Sequence, residues 1–318
     1  MRYIFAALTA AFLAAPAYSA EPVDGALGFQ PAATRIAERV HEFHTVLLWI
    51  IVGITLVVSA LLLYAMIRYK QSSNPAPRKF SHNTTVEVVW TVVPALILVG
   101  IAGLSFPLLY YKDVTPNLAQ ISATSQQLIA DGRSAQHQAY TRNHFPDAAE
   151  EGFVNIKFQG NQWNWTYTYM DLIDDSGFPV EFVANPLHRG RSDDPTTGVR
   201  LLSTDYPLVI PVNRYVRYYT AASDVIHSWT IPAFGIKTDA IPGRLNEGWF
   251  LVNQTGTFYG QCSELCGVDH AFMPIEVRVV PQAQYDRWAE LMLAGDFDGA
   301  VASVSQIASV DDTRLASN

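Results

Sequence analysis

"FVNIKFQGNQWNWTYTY", residues 153–169, alternates aromatic and β-branched residues with polar ones. This period of two is typical of a half-buried β-strand. The aromatic side chains that the alternation places on one face are those of Trp163, Trp165, Tyr167 and Tyr169. Similar runs, separated by Gly and Pro, recur at 206–221, 225–231, 248–260 and 274–280. Short strands at this spacing predict an antiparallel sandwich or Greek-key barrel, here over residues 153–281.

Two apolar runs precede this region, at 45–67 and 88–111, and neither contains a charged residue. Each is long enough to cross a hydrocarbon core of about 30 Å as a helix. The loop between them, 68–87, is basic and has no acid before Glu87, so the positive-inside rule places it in the cytoplasm. We therefore expect a transmembrane hairpin with all later residues on the outer side.

Residues 1–20 have an early Arg2, an apolar run and then small residues, which is typical of a secretory signal peptide. The alternative is a retained N-terminal helix. The external segment 21–44 has apolar residues at helical spacing, which predicts a short amphipathic helix on the outer surface. Together these features predict a bacterial inner-membrane protein with a periplasmic C-terminal domain.

From residue 112 onward the chain has 24 acidic and 14 basic residues, a net charge of about −10, against −8 for the whole chain. Such a domain repels nucleic acid and attracts basic partners, although solubility alone accounts for most acidic domains. Residues 112–152 form a polar inserted segment with some helical character. Residues 282–318 read as a C-terminal helix and a polar tail.

"YGQCSELCGVDHAFMPI", residues 259–275, contains both cysteines of the chain beside a histidine and a methionine. In an exported domain two cysteines most often form a disulfide, but a bridge across three residues would restrict the unfolded chain little. A zinc site is the second interpretation, although structural zinc does not recruit methionine. Thiolate, thioether and imidazole ligands together favour copper, which makes Met273 the discriminating residue.

A mononuclear blue-copper site needs one thiolate, whereas this loop offers two. Two bridging sulfurs can instead hold two copper ions, each completed by one imidazole and one weak axial ligand. His270 offers one imidazole. His227, in "SDVIHSWTIPAFG", is the best candidate for the other because apolar residues flank it at the end of a predicted strand. A single buried histidine is more often structural.

The blocks "DVIHSWTIPAFGIKTDAIPGR" and "FYGQCSELCGVDHAFMPI" resemble the signature blocks of cytochrome c oxidase subunit II. The resemblance runs from about residue 28 to 288 and includes "HNTTVEVVWTVVPALIL", "GNQWNWTYTY" and "RLLSTDYPLVIPV". It implies a two-helix transmembrane hairpin followed by an all-β, cupredoxin-like Greek-key barrel that carries the dinuclear CuA centre.

The resemblance also implies roles for individual residues. Cys262 and Cys266 would bridge both copper ions. His227 and Met273 would complete one copper, while His270 and the backbone carbonyl of Glu264 would complete the other. The Glu264 side chain would help to bind a magnesium ion at the interface with the catalytic subunit.

Trp163 matches the ring through which electrons enter from cytochrome c; the alternative is an ordinary aromatic on a sheet face. A carboxylate at the edge of a span is costly unless it is functional or reaches water, so Glu87 is a site candidate. The resemblance implies that it lies at the cytoplasmic start of a proton pathway. A snorkelling structural carboxylate is the alternative. The acids expected to contact a basic cytochrome c are Asp171, Asp174 and Asp224, which could also form a solvated acidic face without a partner.

Three features depart from the family pattern. Thr168 replaces the usual acid, Tyr218 and Tyr219 replace a smaller aliphatic pair, and the segment from about 118 to 151 is longer than usual. None of these changes involves an expected copper ligand.

The expected function is therefore electron transfer within cytochrome c oxidase, from reduced cytochrome c through the copper pair to the haem of the catalytic subunit. Oxygen reduction and proton pumping would occur in that subunit. The expected partners are catalytic subunit I, subunit III, cytochrome c and the membrane, with no nucleic acid. The alternatives are a membrane-anchored copper chaperone and the CuA subunit of a nitric oxide reductase.

Overall fold

The structure is a computed structural model that describes residues 18–76, 81–187 and 198–305 and divides the chain into two compact units. One unit is Arg39–Tyr111, and the other combines the preceding residues with those from Lys112 onward. Several sequence predictions fall outside the described residues. They concern residues 1–17 of the signal peptide, Arg78 and Lys79 of the basic loop, and the tail from 306 onward.

The first unit contains the two predicted spans. Helix α1, Arg35–Arg68, and helix α2, Thr84–Asp113, each contain a long apolar stretch that is not buried by protein. Both helices are long and apolar enough to cross a membrane. The prediction of a separate amphipathic helix within 21–44 was wrong. Residues 35–44 contain no proline and continue into the first span as part of one helix.

The second unit contains a β-domain of two main sheets, as the alternating pattern predicts. The larger sheet consists of β2 Phe153–Asn161, β3 Asn164–Ile173, β4 Pro179–Ala184, β6 Tyr215–Ala222 and β9 Asn246–Leu251. The smaller sheet consists of β1 Tyr18–Ala20, β5 Leu208–Pro211, β10 Gly256–Gln261 and β11 Pro274–Val280. In the described residues the larger sheet has the order β4-β3-β2-β6-β9 and the smaller one β1-β10-β11-β5.

A hairpin of β7, His227–Ile231, and β8, Ile236–Ala240, completes the domain. Most strand pairs are antiparallel, as the sequence predicts, but β2 pairs with β6, β11 with β5 and β1 with β10 in parallel. Long connections between sequence-distant strands make parallel pairing possible here.

Aromatic side chains fill the space between the sheets. Trp165, Tyr167 and Tyr169 are each at most 1% exposed on one face of β3, as predicted. Trp163 does not share this face, since it lies in the turn before β3 begins. Trp229 on β7 stacks on Phe158 with ring centroids 4.5 Å apart. Such pairs add about 0.5–1.5 kcal/mol beyond their burial.

Tyr218, one of the departures from the family pattern, belongs to this core. Its ring stacks on Phe158 at 5.3 Å with an interplanar angle of 7°, and its hydroxyl hydrogen-bonds to Thr238 Oγ1 at 2.8 Å. Burial raises the pKa of the Tyr218 phenol to about 12, so the hydroxyl stays neutral. The larger side chain thus adds aromatic packing and satisfies its own polar group.

The inserted segment is more ordered than its sequence predicts. The described stretch 112–152 forms helices α3 Leu118–Ala130, α4 Ser134–His144 and α5 Pro146–Glu150. Asn117 caps α3, and Ser125 Oγ on its buried face lies 2.9 Å from His137 Nε2. The Tyr215 hydroxyl donates to the His144 carbonyl, which ties the insert to β6.

The C-terminal helix is confirmed as α6, Gln282–Leu293, and is followed by α7, Phe297–Ser303. Trp288 of α6 is buried and packs against Tyr169 at 4.9 Å between ring centroids. The C-terminal helix therefore covers the end of the aromatic core.

Tyr169 offers a test of this packing. Its buried hydroxyl donates to Val209 O at 2.6 Å and accepts from Val209 N at 2.9 Å. Tyr169→Phe leaves both backbone groups buried and unpaired, so we expect the free energy of unfolding to fall by about 1–3 kcal/mol. Denaturant unfolding of the full-length chain in detergent measures this change. Tyr219→Phe, which keeps the ring beneath Arg217, is the control, and equal stability losses in both variants would contradict the prediction.

Candidate metal centre

The candidate site is built around one loop, residues 262–273, which we call the metal loop. It joins the antiparallel strands β10 and β11 and is closed at its base by a hydrogen bond of 3.0 Å from Cys262 N to Met273 O. Ser263 N donates to Ser228 O at 3.0 Å, which fixes the loop beside β7. Two rigid β-elements thus determine where the sulfur atoms lie.

The structure brings together the five side chains that were predicted as copper ligands, His227, Cys262, Cys266, His270 and Met273. The two sulfurs are 3.9 Å apart, too far for a bond, and both cysteines are free. Cys262 Sγ lies 3.9 Å from His227 Nδ1, and Cys266 Sγ lies 3.4 Å from His270 Nδ1 and 4.0 Å from Met273 Sδ. The carbonyl oxygen of Glu264 is 3.3 Å from Cys262 Sγ.

Burial differs between the two ends of this cluster. His227 and Met273 are completely buried, and both cysteines are buried beside them. His270 is half-buried, and the Glu264 side chain is exposed. The cluster therefore has one end sealed by the β-domain and one end near the surface of the metal loop.

Asp224 fixes the orientation of the His227 ring. Its Oδ1 lies 2.8 Å from His227 Nε2, and its carboxylate also accepts from the backbone amides of Gln162 and Val225, each at 2.6 Å. A carboxylate only accepts, so Nε2 carries the hydrogen. Nδ1 is consequently the ring nitrogen that faces Cys262 Sγ.

The contact between Asp224 and His227 changes the pKa of both side chains. Burial acts to lower the pKa of His227, but hydrogen bonds with Cys262 and Asp224 outweigh it and raise the pKa. Burial acts to raise the pKa of Asp224, and the bonds from His227 and the two amides bring it below the usual value. Asp224 is thus an ionised acceptor at neutral pH.

The two thiols have unequal acidity. Burial raises the pKa of both, but hydrogen bonding with His227 and with the backbone near Glu264 lowers the pKa of Cys262 overall. The pKa of Cys266 stays raised, by burial and then by the adjacent Cys262 sulfur. Cys262 is therefore the more readily ionised sulfur, and the thiolate is the form that binds metal.

Gly160 makes room for the buried imidazole. A Cβ at this position would lie 2.8 Å from two atoms of the His227 ring, closer than side chains pack. Sequence reasoning missed this residue, and it also missed Trp165, whose ring meets His227 edge-on at 6.0 Å between centroids. The glycine within the strand pattern of "FQGNQW" was the signal that could have indicated a close approach.

Trp163 lies directly against the metal loop. Its half-buried indole donates from Nε1 to the carbonyl oxygen of Cys266 at 3.3 Å. The ring therefore bridges the molecular surface and the backbone of a predicted metal ligand. Its position in the turn between β2 and β3, rather than within β3, makes this contact possible.

The three predicted docking acids are not close together. Asp224 contacts the turn that carries Trp163, whereas Asp171 and Asp174 lie near the opposite end of β3, roughly 25–35 Å along the strand. Asp171 accepts from the backbone and side chain of Asn155, and Asp174 accepts from two amides of its own turn. At Thr168 the hydroxyl donates to Glu181 on β4 at 2.7 Å, so a carboxylate lies across the strand pair from this position.

Glu87 belongs to the other unit and is described separately. It lies in the first turn of α2, where its Oε1 accepts from Asn83 N at 2.9 Å, while Asn83 Oδ1 accepts from Val86 N at 3.2 Å. This reciprocal arrangement stabilises the start of the helix. The carboxylate thus has a structural contact as well as its predicted role.

Comparison with known proteins follows the division into two units. Residues 22–108 match the family described as "Cytochrome C oxidase subunit II, transmembrane domain", and residues 154–280 match "Cytochrome C oxidase subunit II, periplasmic domain". The two matches agree with a membrane-anchored chain whose β-domain is periplasmic, as the basic loop predicts.

Curated relatives match over nearly the whole chain. The "Probable cytochrome c oxidase subunit 2" of Rickettsia bellii is 37% identical over 95% of this chain and 93% of its own length. The "Cytochrome c oxidase subunit 2" of Cereibacter sphaeroides is 36% identical over 87% of this chain and 84% of its own length.

A solved relative is the periplasmic domain of subunit II of the cytochrome oxidase of Bradyrhizobium japonicum. It is 46% identical, with a TM-score of 0.39, over 45% of this chain and 95% of the crystallised one. With both family matches and relatives above 30% identity along most of its length, the chain belongs to the cytochrome c oxidase subunit II family, components of an oxidoreductase complex.

Proposed function

We propose that this chain receives electrons from reduced cytochrome c at a dinuclear copper centre in the metal loop and passes them to the haem of the catalytic subunit. The observation that carries the proposal is the donor set: two free thiols 3.9 Å apart, with an imidazole next to each and a thioether within reach. Oxygen reduction and proton pumping belong to the catalytic subunit.

The chemistry of these donors fits copper. Soft sulfur ligands combined with imidazole select this metal, whereas structural zinc sites use cysteine and histidine without methionine. His227 and Met273 would serve one ion, His270 and the Glu264 carbonyl the other, and the two sulfurs both. A copper pair held in this way supplies a one-electron redox centre.

The residues around the site favour rapid transfer by keeping its geometry fixed. Asp224 holds His227 in one tautomer, and the Cys262–Met273 hydrogen bond closes the base of the loop. Ligands that are already oriented need little rearrangement when charge changes.

Electrons enter through Trp163 in this proposal. The half-buried indole lies at the surface and hydrogen-bonds to the Cys266 carbonyl. The acidic domain attracts a basic cytochrome c, and Asp224 is the predicted acid beside the ring. Asp171 and Asp174 would act over a longer distance through the overall field, and we expect each to affect the association rate more than the affinity.

Two further roles are part of the proposal. The Glu264 side chain is exposed on the metal loop and would help to bind magnesium at the interface with the catalytic subunit, subunit I. Glu87 would begin a proton pathway on the cytoplasmic side, with its Asn83 contact as the competing structural explanation. The complex, which would also contain subunit III, is assigned to a bacterial inner membrane.

The alternatives differ in what they require. A copper chaperone needs an exposed site from which the metal can be exchanged. The complete burial of His227 and Met273 argues against that function. A nitric oxide reductase subunit would share the copper pair and is distinguished by the gas that the purified complex consumes.

The copper pair is tested by electron paramagnetic resonance of the full-length chain, loaded with copper in detergent. We expect hyperfine splitting by two equivalent copper nuclei, and we expect Cys262→Ser to abolish it because one bridging sulfur is lost. Ser263→Ala, which changes the neighbouring exposed side chain, should keep the signal. Splitting by a single copper nucleus in the unmodified protein would refute the proposal.

Trp163→Ala tests the route by which electrons enter. The copper signal should be unchanged, while oxidation of cytochrome c by the purified complex should slow by roughly tenfold or more, because the ring that spans the gap to the metal loop is removed. Phe178→Ala removes an exposed aromatic at the opposite end of the β3–β4 hairpin and serves as the control. Equal rates for the two variants would argue against Trp163.

Asp224→Asn tests how the His227 ring is held. Partners that orient a metal-binding histidine typically contribute 10–100-fold to affinity, so we expect copper affinity to fall by about tenfold. Competition with a copper chelator measures it. Asp174→Asn, the same change far along β3, should leave affinity unaltered. An unchanged affinity in Asp224→Asn would mean that the ring is held by packing alone.

A further inference from the structure

The turn between β2 and β3 is attached to the metal site through Gln162. Its side-chain Nε2 donates to Cys266 O at 2.7 Å, and its backbone amide donates to Asp224 Oδ2 at 2.6 Å. Cys266 is a predicted copper ligand, and Asp224 holds another, His227. Gln162 is therefore bonded to two residues of the predicted metal site, Cys266 and Asp224.

The carbonyl of Cys266 receives two donors from this turn. Gln162 Nε2 approaches to 2.7 Å and Trp163 Nε1 to 3.3 Å, which accounts for both lone pairs of the oxygen. The bond from Gln162 is the shorter one. It fixes the residue that precedes the indole, so the position of the ring does not depend on its own longer bond alone.

Close packing accompanies these bonds. A Cβ at Gly267, where φ is +123°, would lie 3.0 Å from Gln162 Nε2 and 3.1 Å from Trp163 Cζ2. The backbone of the metal loop thus lies directly against both side chains. Gln162 is exposed overall, yet its amide is directed inward to the main chain rather than to solvent.

We infer that Gln162 is a positioning residue for electron transfer, one that holds the Trp163 indole against the backbone of Cys266. This inference rests on the proposed function, because it assigns a partner to the ring through which electrons enter. Gln162 acts through Trp163 rather than by contact with the copper ions.

A docking role would look different. An exposed polar side chain that contacted the electron donor would change the concentration of cytochrome c needed for half-saturation. A positioning residue changes the rate within the complex already formed. The two roles are therefore separated by the kinetic parameter that moves.

The test is Gln162→Met in the purified oxidase with its partner subunits. Methionine matches the length of glutamine but cannot donate a hydrogen bond. The measurement is the first-order rate at which bound cytochrome c reduces the complex at low ionic strength. We expect a fall of about fivefold, the factor that one neutral hydrogen bond contributes to an equilibrium. The copper signal and the half-saturating concentration should not change.

Gln126→Met is the matched control, because Gln126 is an exposed glutamine of α3 whose amide bonds to Ser122 and Glu150 within the insert. A second variant, Gln162→Ala, also lacks a donor and should slow transfer to the same extent. Combining Gln162→Met with Trp163→Ala should cause no further loss beyond that of Trp163→Ala, since Gln162 acts through the ring.

Three results would overturn the inference: a further fivefold loss in the double variant, a change confined to the half-saturating concentration, or loss of the copper signal in both Gln162 variants. Failure of the proposed function itself would be seen in the unmodified complex, as the absence of a shared copper signal or of cytochrome c oxidation. An unmodified complex that passes both tests, with Gln162→Met equal to it, would refute only the role of Gln162.

Discussion

The carboxylate of Asp224 links the buried imidazole of the predicted metal site to the turn that carries Trp163. It orients the buried His227 ring, and it accepts the backbone amide of Gln162 from a strand turn 62 residues earlier in the chain. Charge-assisted hydrogen bonds of this kind are short and directional. The connection before β7 and the turn before β3 are therefore held in register by one side chain, and the arrangement of imidazole, indole and sulfur depends on it.

Around this carboxylate the ligands come from rigid parts of the fold. His227 begins β7, and the metal loop is closed by the strands on either side of it, although 35 residues separate His227 from Cys262. Sites built on strands are more precise than sites on free loops, because packing fixes the backbone. The aromatic core beneath β7, with Trp229 stacked on Phe158, supplies that packing.

The local sequence pattern predicted strands and the metal loop. Contacts between residues distant in sequence determined features that the pattern did not predict, such as the position of Trp163. The alternation in 274–280 coincides with β11, and the buried face of Trp165, Tyr167 and Tyr169 follows from the same period. The cysteine spacing with His270 and Met273 identified the loop before its geometry was known. Trp163 departs from the alternation because the chain turns there, which depends on hydrogen bonds to Asp224 and Cys266 that no local pattern contains.

Tertiary structure also explains where the predicted docking acids lie and why the inserted segment is helical. Asp171 and Asp174 are close to Trp163 in sequence, but an extended strand carries them away from it and their carboxylates bond locally. The helices of 118–150 have a weak apolar pattern and are stabilised by contacts such as the Tyr215 hydroxyl with His144. Tertiary contacts override propensity in both cases.

The uneven burial of the predicted ligands gives the two ends of the site different access to solvent. His227 and Met273 are sealed within the β-domain, whereas His270 and Glu264 lie on the outer part of the metal loop. In the proposed copper centre, an incoming ion would meet the half-buried imidazole before the sealed ligands.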